Sequence, residues 1–192
     1  MIRKVGLYIL SLWLLFFFVI IVTVQVPVSF SDSAQFIGFK NLLSSNYLSL
    51  ISFFFLIVGF IVYSKFKFDL SGTTNIPFTI VKIESVNYEH LTFLATYIIP
   101  LICFNLSSPR YLVVLLFLLI AMGFIYIKTD LFYANPSLAL LGFHIYKVDG
   151  NFKTGERENI ILLTRERLVE NLKVSYIKLD ERIYYVKTLK NE

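Results

Sequence analysis

The residues of this chain that could do chemistry are few. His90 and His144 are its only histidines, Cys103 is its only cysteine, and Glu89 stands next to His90. A carboxylate beside an imidazole is the raw material of acid–base catalysis. Neighbouring residues on a helix point apart, however, so Glu89 and His90 are not arranged to share a proton. His144 falls in a predicted strand with no nucleophile pattern around it. Cys103 has no Cys or His neighbours to complete a metal site and reads as a small apolar packing residue. Glu156, Arg157 and Glu158 read as a solvated charge run on a hairpin turn. No phosphate-binding glycine loop, His-Glu-x-x-His or Gly-x-Ser-x-Gly is present. The expectation is no enzyme, with no catalytic, cofactor-binding or metal residues to assign and no cofactor.

The elements that would carry these residues are membrane helices. The 192 residues are 57% hydrophobic and 16% charged, both displaced from soluble values toward the membrane class. Charges also cluster: 27 uncharged residues separate Lys4 from Asp32, 24 separate Lys40 from Lys65, 19 separate His90 from Arg110, and 17 separate Arg110 from Lys128. A hydrocarbon core about 30 Å thick needs roughly 20 helical residues. The fold class expected is therefore an α-helical membrane protein with four transmembrane helices and a small cytoplasmic β-rich domain. The first span, from Val5 to Val28, is too long for the core of a secretory signal and reads as a retained anchor.

Four segments follow: residues 1–63 with two spans and a short outward loop around 29–41, 64–90 as a cytoplasmic loop containing a strand, 91–128 as a transmembrane hairpin, and 129–192 as an elbow and β-rich tail. Basic residues set the orientation. Sixteen Lys and Arg fall on the side of the termini and 64–90, against Lys40 and Arg110 on the other. Both termini are therefore expected in the cytoplasm. Tyr47, Tyr63, Tyr111 and Tyr126 stand near span ends, where amphipathic rings favour the headgroup zone.

Finer signals place the rest. Asn87 is a candidate cap for the third span, with Glu89 in its first turn, and Pro100 a candidate kink near Thr96. Ser71-Gly72-Thr73-Thr74 reads as a turn, and Asn135-Pro136 followed by Gly142 as a short helix. Strands are expected over Ile76 to Glu84, Phe143 to Val148, Ile160 to Leu163, Val174 to Leu179 and Ile183 to Lys187. Asp149-Gly150 and Asp180-Glu181 read as turns, and Thr164 to Asn171 as a short helix. The tail alone is small for a core, so the loop strand is expected to join it, or subunits to pack together.

The spans lack ionisable residues, which disfavours proton-coupled transport. Gln25, Ser52, Thr92, Thr96 and Asn105 read as helix-packing polar groups, and the Phe16–Phe18 and Phe53–Phe55 triplets as lipid-facing bulk. From Lys128 onward 11 basic residues interleave with 9 acidic ones, without a basic block, so direct nucleic-acid binding is not expected.

Leu91-Thr92-Phe93-Leu94-Ala95-Thr96-Tyr97-Ile98-Ile99-Pro100, then Asn135-Pro136 with Leu138, Leu141-Gly142-Phe143 and Ile145-Tyr146, resemble the KwaA family, the membrane subunit of the Kiwa anti-phage defence system. The resemblance implies an inner-membrane component that senses infection at the membrane and scaffolds a soluble DNA-binding effector, KwaB-like, through its cytoplasmic strands. It also implies a homo-oligomer, with a tetramer as the expected form. It brings no catalytic residues. The competing reading is an oligomeric channel or pore that depolarises the membrane.

Overall fold

The computed structural model describes residues 2–25, 38–72 and 75–189, the side chains of Ile2 and Phe132 excepted. Most of the outward loop around 29–41, the end of the first span and half of the Ser71–Thr74 turn lie outside the described residues.

The first apolar run forms two helices, α1 (Ile2–Ser11) and α2 (Trp13–Thr23), bent by 44° at Leu12. Ser11 Oγ donates to the Tyr8 carbonyl at 2.6 Å, and the Leu12 N–H is shared between the Tyr8 and Ile9 carbonyls. A hydroxyl competing for the helix's own carbonyls is a known cause of bending. After the short α3 (Phe39–Ser45) comes α4 (Tyr47–Asp69), which packs along α1 and α2. Phe16 stacks on Phe55 at 4.9 Å, and Thr23 and Ser49 pair their hydroxyls at 2.8 Å. Asn46 joins the chain at Gln25 through bonds of 2.7 and 3.0 Å.

Gly59 lets α2 approach. A Cβ there would sit 2.5 Å from Trp13 Nε1, which donates to the Leu56 carbonyl at 2.9 Å. Gly59→Ala is expected to displace the indole and lower stability by about 1–3 kcal/mol. Trp13 fluorescence should shift with the thermal midpoint.

Next come α5 (Tyr88–Cys103), α6 (Pro109–Lys128), a 3-10 turn (Leu131–Tyr133) and α7 (Pro136–Leu140). Among the described residues α4 and α6 are long and apolar enough to cross a membrane, and α1 with α2 makes a third candidate if read as one broken span. α5, at 16 residues, is shorter. It runs as one helix through Pro100 and ends at Cys103, so Cys103 is an exposed terminal residue rather than a mid-span packing group.

The strands are β1 (Asn75–Ser85), β2 (His144–Phe152), β3 (Gly155–Thr164), β4 (Lys173–Lys178) and β5 (Ile183–Thr188). They close into a barrel in the order β1-β2-β3-β5-β4, β3 and β5 parallel and the other pairs antiparallel. The long β1 pairs β4 through its first half and β2 through its second, the strand order of OB-type barrels. Architecture of this kind carries no function by itself. The loop strand thus joins the tail, as expected from the small size of the tail.

Several local expectations are corrected. Asp149-Gly150 is not a turn but lies inside β2, at a register shift against both neighbours. The real turn is at Lys153-Thr154, closed by Gly155 with φ +115°. Glu156, Arg157 and Glu158 accordingly belong to β3. Thr164 to Asn171 is irregular rather than helical: Thr164 Oγ1 accepts from the Glu166 N–H at 3.1 Å, and the Glu166 carboxylate accepts from the Thr188 N–H at 2.8 Å. Side-chain bonds of this type compete with a helix. Asn87 does not cap α5, because its side-chain carbonyl accepts from the Ile145 N–H at 2.7 Å instead.

Candidate functional site

The features that most constrain this molecule gather where the helices meet the barrel. The break at Leu12 leaves carbonyls of α1 to be satisfied from outside the helix. Tyr97 of α5 donates to the Ser11 carbonyl at 3.2 Å, Tyr126 of α6 to that of Leu7 at 3.4 Å, and Tyr8 of α1 to that of Leu119 at 2.5 Å. Tyr97 and Tyr126 are fully buried. Asn135 adds a fourth tie. It caps α7 by accepting from the N–H groups of Ser137 and Leu138, as its sequence position suggested, and its amide donates to the Leu7 carbonyl at 3.1 Å.

A second set of contacts seats the barrel. The Val86 N–H donates to the Ile145 carbonyl at 3.1 Å, completing the Asn87 contact from the other side. The Arg165 guanidinium donates to the Tyr63 hydroxyl at 2.8 Å and lies 4.6 Å from the centre of the Phe143 ring. Lys4 of α1 pairs with Asp130, just past α6, and at 2.8 Å with Asp180, in the β4–β5 loop. One ammonium therefore joins three parts of the chain that sequence spacing could not connect. Burial alone would push the Asp180 carboxyl up; the bonds from Lys4 and the Glu181 N–H, with attraction to Lys4 and Arg3, outweigh it and hold the group below the ordinary carboxylate range.

The sign follows from that lowered value. The clasp's contribution is complete above the ordinary carboxylate pKa, about 4, and is lost as pH falls through the lower folded value. Asp180→Asn should therefore melt earlier than wild type at pH 7, the gap closing on acidification. Thermal midpoints of the detergent-solubilised protein between pH 7 and 3 would measure it.

Glu89 and His90 are adjacent in the first turn of α5 and do diverge. His90 turns into the junction, 4% exposed, beside Asn135, Phe143 and His144. Glu89, a carboxylate, lines a groove between α5 and α6. Tyr133, near Glu89, is pushed up to about 12 by burial and by that carboxylate. His144 is half-buried at the start of β2, its ring 6.5 Å from that of Tyr146. Arg157 spans the barrel end, 4.7 Å from the Phe152 ring and donating to the Tyr184 hydroxyl at 2.7 Å. No group of three or more His, Cys, Asp or Glu poised for a metal occurs among the described residues. The geometry is that of a rigid mount, with the barrel held against the helices and its far side open.

Sequence reasoning missed Lys4, Asp130, Asp180, Arg165 and Tyr63. Each is an ordinary charged or interfacial residue until folding brings it to the junction, and no local signal marks it.

Comparison with known proteins bears on this arrangement. The family described as "Anti-phage protein KwaA" matches residues 3–185. A relative described as Kiwa protein KwaA, from Escherichia coli O55:H7 (strain RM12579 / EPEC), is 38% identical over 184 residues, covering 95% of this chain and 90% of its own. No solved structure matches.

Proposed function

The chain belongs to the KwaA family of anti-phage defence proteins, and from that premise we propose that it is the membrane-embedded sensor and scaffold of a Kiwa system. It resides in the bacterial inner membrane as a homo-oligomer, a tetramer, and holds a soluble DNA-binding effector of the KwaB kind at the cytoplasmic face. The helices cross the membrane four times, with α1 and α2 as one broken span and the short α5 as the third. Both termini face the cytoplasm. The role is non-catalytic and needs no cofactor.

The observation that carries this reading is the mount. Lys4, Arg165 and Asn87 fasten the barrel to the helices and Asn135 fastens the elbow to α1, so a disturbance that tilts α1 or α4 moves the barrel with them. On the exposed side Ile76, Val81 and Val169 stand among charged residues, the mixture expected of a surface that meets a soluble partner.

Tagged full-length protein, solubilised in detergent and mixed with the soluble product of the neighbouring gene, should retain it through a size-exclusion column. Val81→Glu with Val169→Glu should weaken retention at least tenfold while the barrel still resists protease. Absence of a retained partner counts against the scaffold, and ion flux through the purified protein in liposomes would favour the pore instead.

A further inference from the structure

At the end of the barrel away from its seat opens a pocket of about 510 Å³, within the roughly 300–1,000 Å³ range of small-molecule sites. The seat uses other residues: Ile145, Leu163, Ile183 and Tyr185 share one core with the helices. β2 leaves that core at Ile145 and reaches the pocket at Asn151. Six steps of strand cover about 20 Å.

Strand pairing sets the polar groups of the pocket side by side. Lys173 of β4 stands opposite Thr79 of β1, and Thr79 stands opposite Asn151 of β2. Residues paired in this way share a face, so the three form a row. Phe78 and Phe152, the chain neighbours of Thr79 and Asn151, belong to the barrel core beneath. Lys153, in the turn that follows β2, completes the polar lining. Both lysines are exposed, and neither pairs with a carboxylate among the described residues. Glu156, opposite Asn151 on β3, ends the row and does not line the pocket.

Two ammonium groups, a hydroxyl and an amide suit an anion with more than one charge and more than two acceptor oxygens. A carboxylate has one charge and two oxygens. A phosphomonoester carries about −1.5 to −2 at neutral pH and offers three strong acceptor oxygens. A phosphate alone leaves most of the volume empty, and there Pro77 and Leu189 supply an apolar wall. We propose that this pocket binds a soluble phosphomonoester of nucleoside monophosphate size, its phosphate on Lys153 and Lys173 and its ring against Pro77 and Leu189. A lipid headgroup is the other source of such a phosphate, and the length of strand between helices and pocket favours the soluble one. The ligand is additional to the scaffold reading and does not depend on it.

The test is calorimetric titration of full-length protein in detergent, at fixed ionic strength, with AMP, adenosine, inorganic phosphate and short-chain phosphatidic acid. AMP should bind saturably and at least tenfold more tightly than phosphate or phosphatidic acid, and adenosine should not bind. Lys153→Gln with Lys173→Gln should weaken AMP at least tenfold, the size of one charge-assisted hydrogen bond. Lys65→Gln with Lys67→Gln, an equal loss of charge on α4, should leave AMP affinity unchanged. Equal affinity for phosphate and AMP means an adventitious ion only and overturns the proposal. Tighter binding of phosphatidic acid overturns it in favour of a lipid site. An AMP affinity lowered as much by the α4 pair as by the pocket pair overturns it too, since the attraction is then general. Absence of AMP binding sinks it outright, and loss of the soluble partner in the pocket pair would then assign these lysines to docking. Failure of the scaffold reading looks different: AMP binds and no partner is retained.

Discussion

Phe78→Ala is expected to unfold the barrel while leaving the protein in the membrane. Phe78 is 2% exposed and stacks on Phe152 with ring centres 4.1 Å apart, the edge of Tyr176 closing the cluster at 5.6 Å. Removing a buried phenyl ring costs about 3–5 kcal/mol through lost transfer energy and the cavity left behind. A small domain holds only about 5–15 kcal/mol in total. The site cannot collapse to fill the void, because Gly150 is placed by strand pairing on both sides and Phe152 by its pairing with Gly155. The check is limited proteolysis of membranes carrying the variant. Residues beyond about 140 should become cleavable at low protease, whereas α4 and α6 should stay in the pellet. A tail as resistant as wild type would show that the aromatic cluster is not what holds the barrel together.

Asn135→Ala should also be damaging, for a different reason. Losing the cap of α7 costs roughly 1 kcal/mol. The Leu7 carbonyl also loses the nearer of its two side-chain donors, Tyr126 remaining at 3.4 Å, which adds about 0.5–1.5 kcal/mol. The total of roughly 1.5–2.5 kcal/mol falls on the seam between α1 and the elbow. Asn135→Ser separates the two parts. A serine hydroxyl can still cap Ser137 and Leu138 but is too short to reach α1, so it should recover the cap's share only. Thermal midpoints of the three solubilised proteins would measure the split, and a serine variant indistinguishable from wild type would remove Leu7 from the account.

Much of this architecture was legible because its causes are local. Charge-free runs mark the helices, β-branched stretches mark the five strands, and Asn135-Pro136 marks α7. The errors arose where a long-range partner overrode a local signal. Asp149-Gly150 has turn chemistry, but Gly150 is needed because a Cβ would lie 2.7 Å from the Phe78 ring on the neighbouring strand β1. Asn87 has cap chemistry, but Ile145 claims its side chain. The first apolar run has no Pro or Gly at its break, since the bend comes from Ser11 and the packing around it. Of the junction, Asn135 was visible as a cap and nothing in the chain announced its bond to Leu7. The Lys4 clasp was invisible because its members stand 126 and 176 positions apart.

The order of the strands along the chain has a bearing on biogenesis. β1 leaves the ribosome before the α5–α6 hairpin, and both strands that pair with it leave afterwards. Until the tail has been completed, β1 presents two unpaired edges next to the apolar Ile76 and Val81, a ready template for aggregation. Closing the ring removes both edges at once, so the strand made first is protected last.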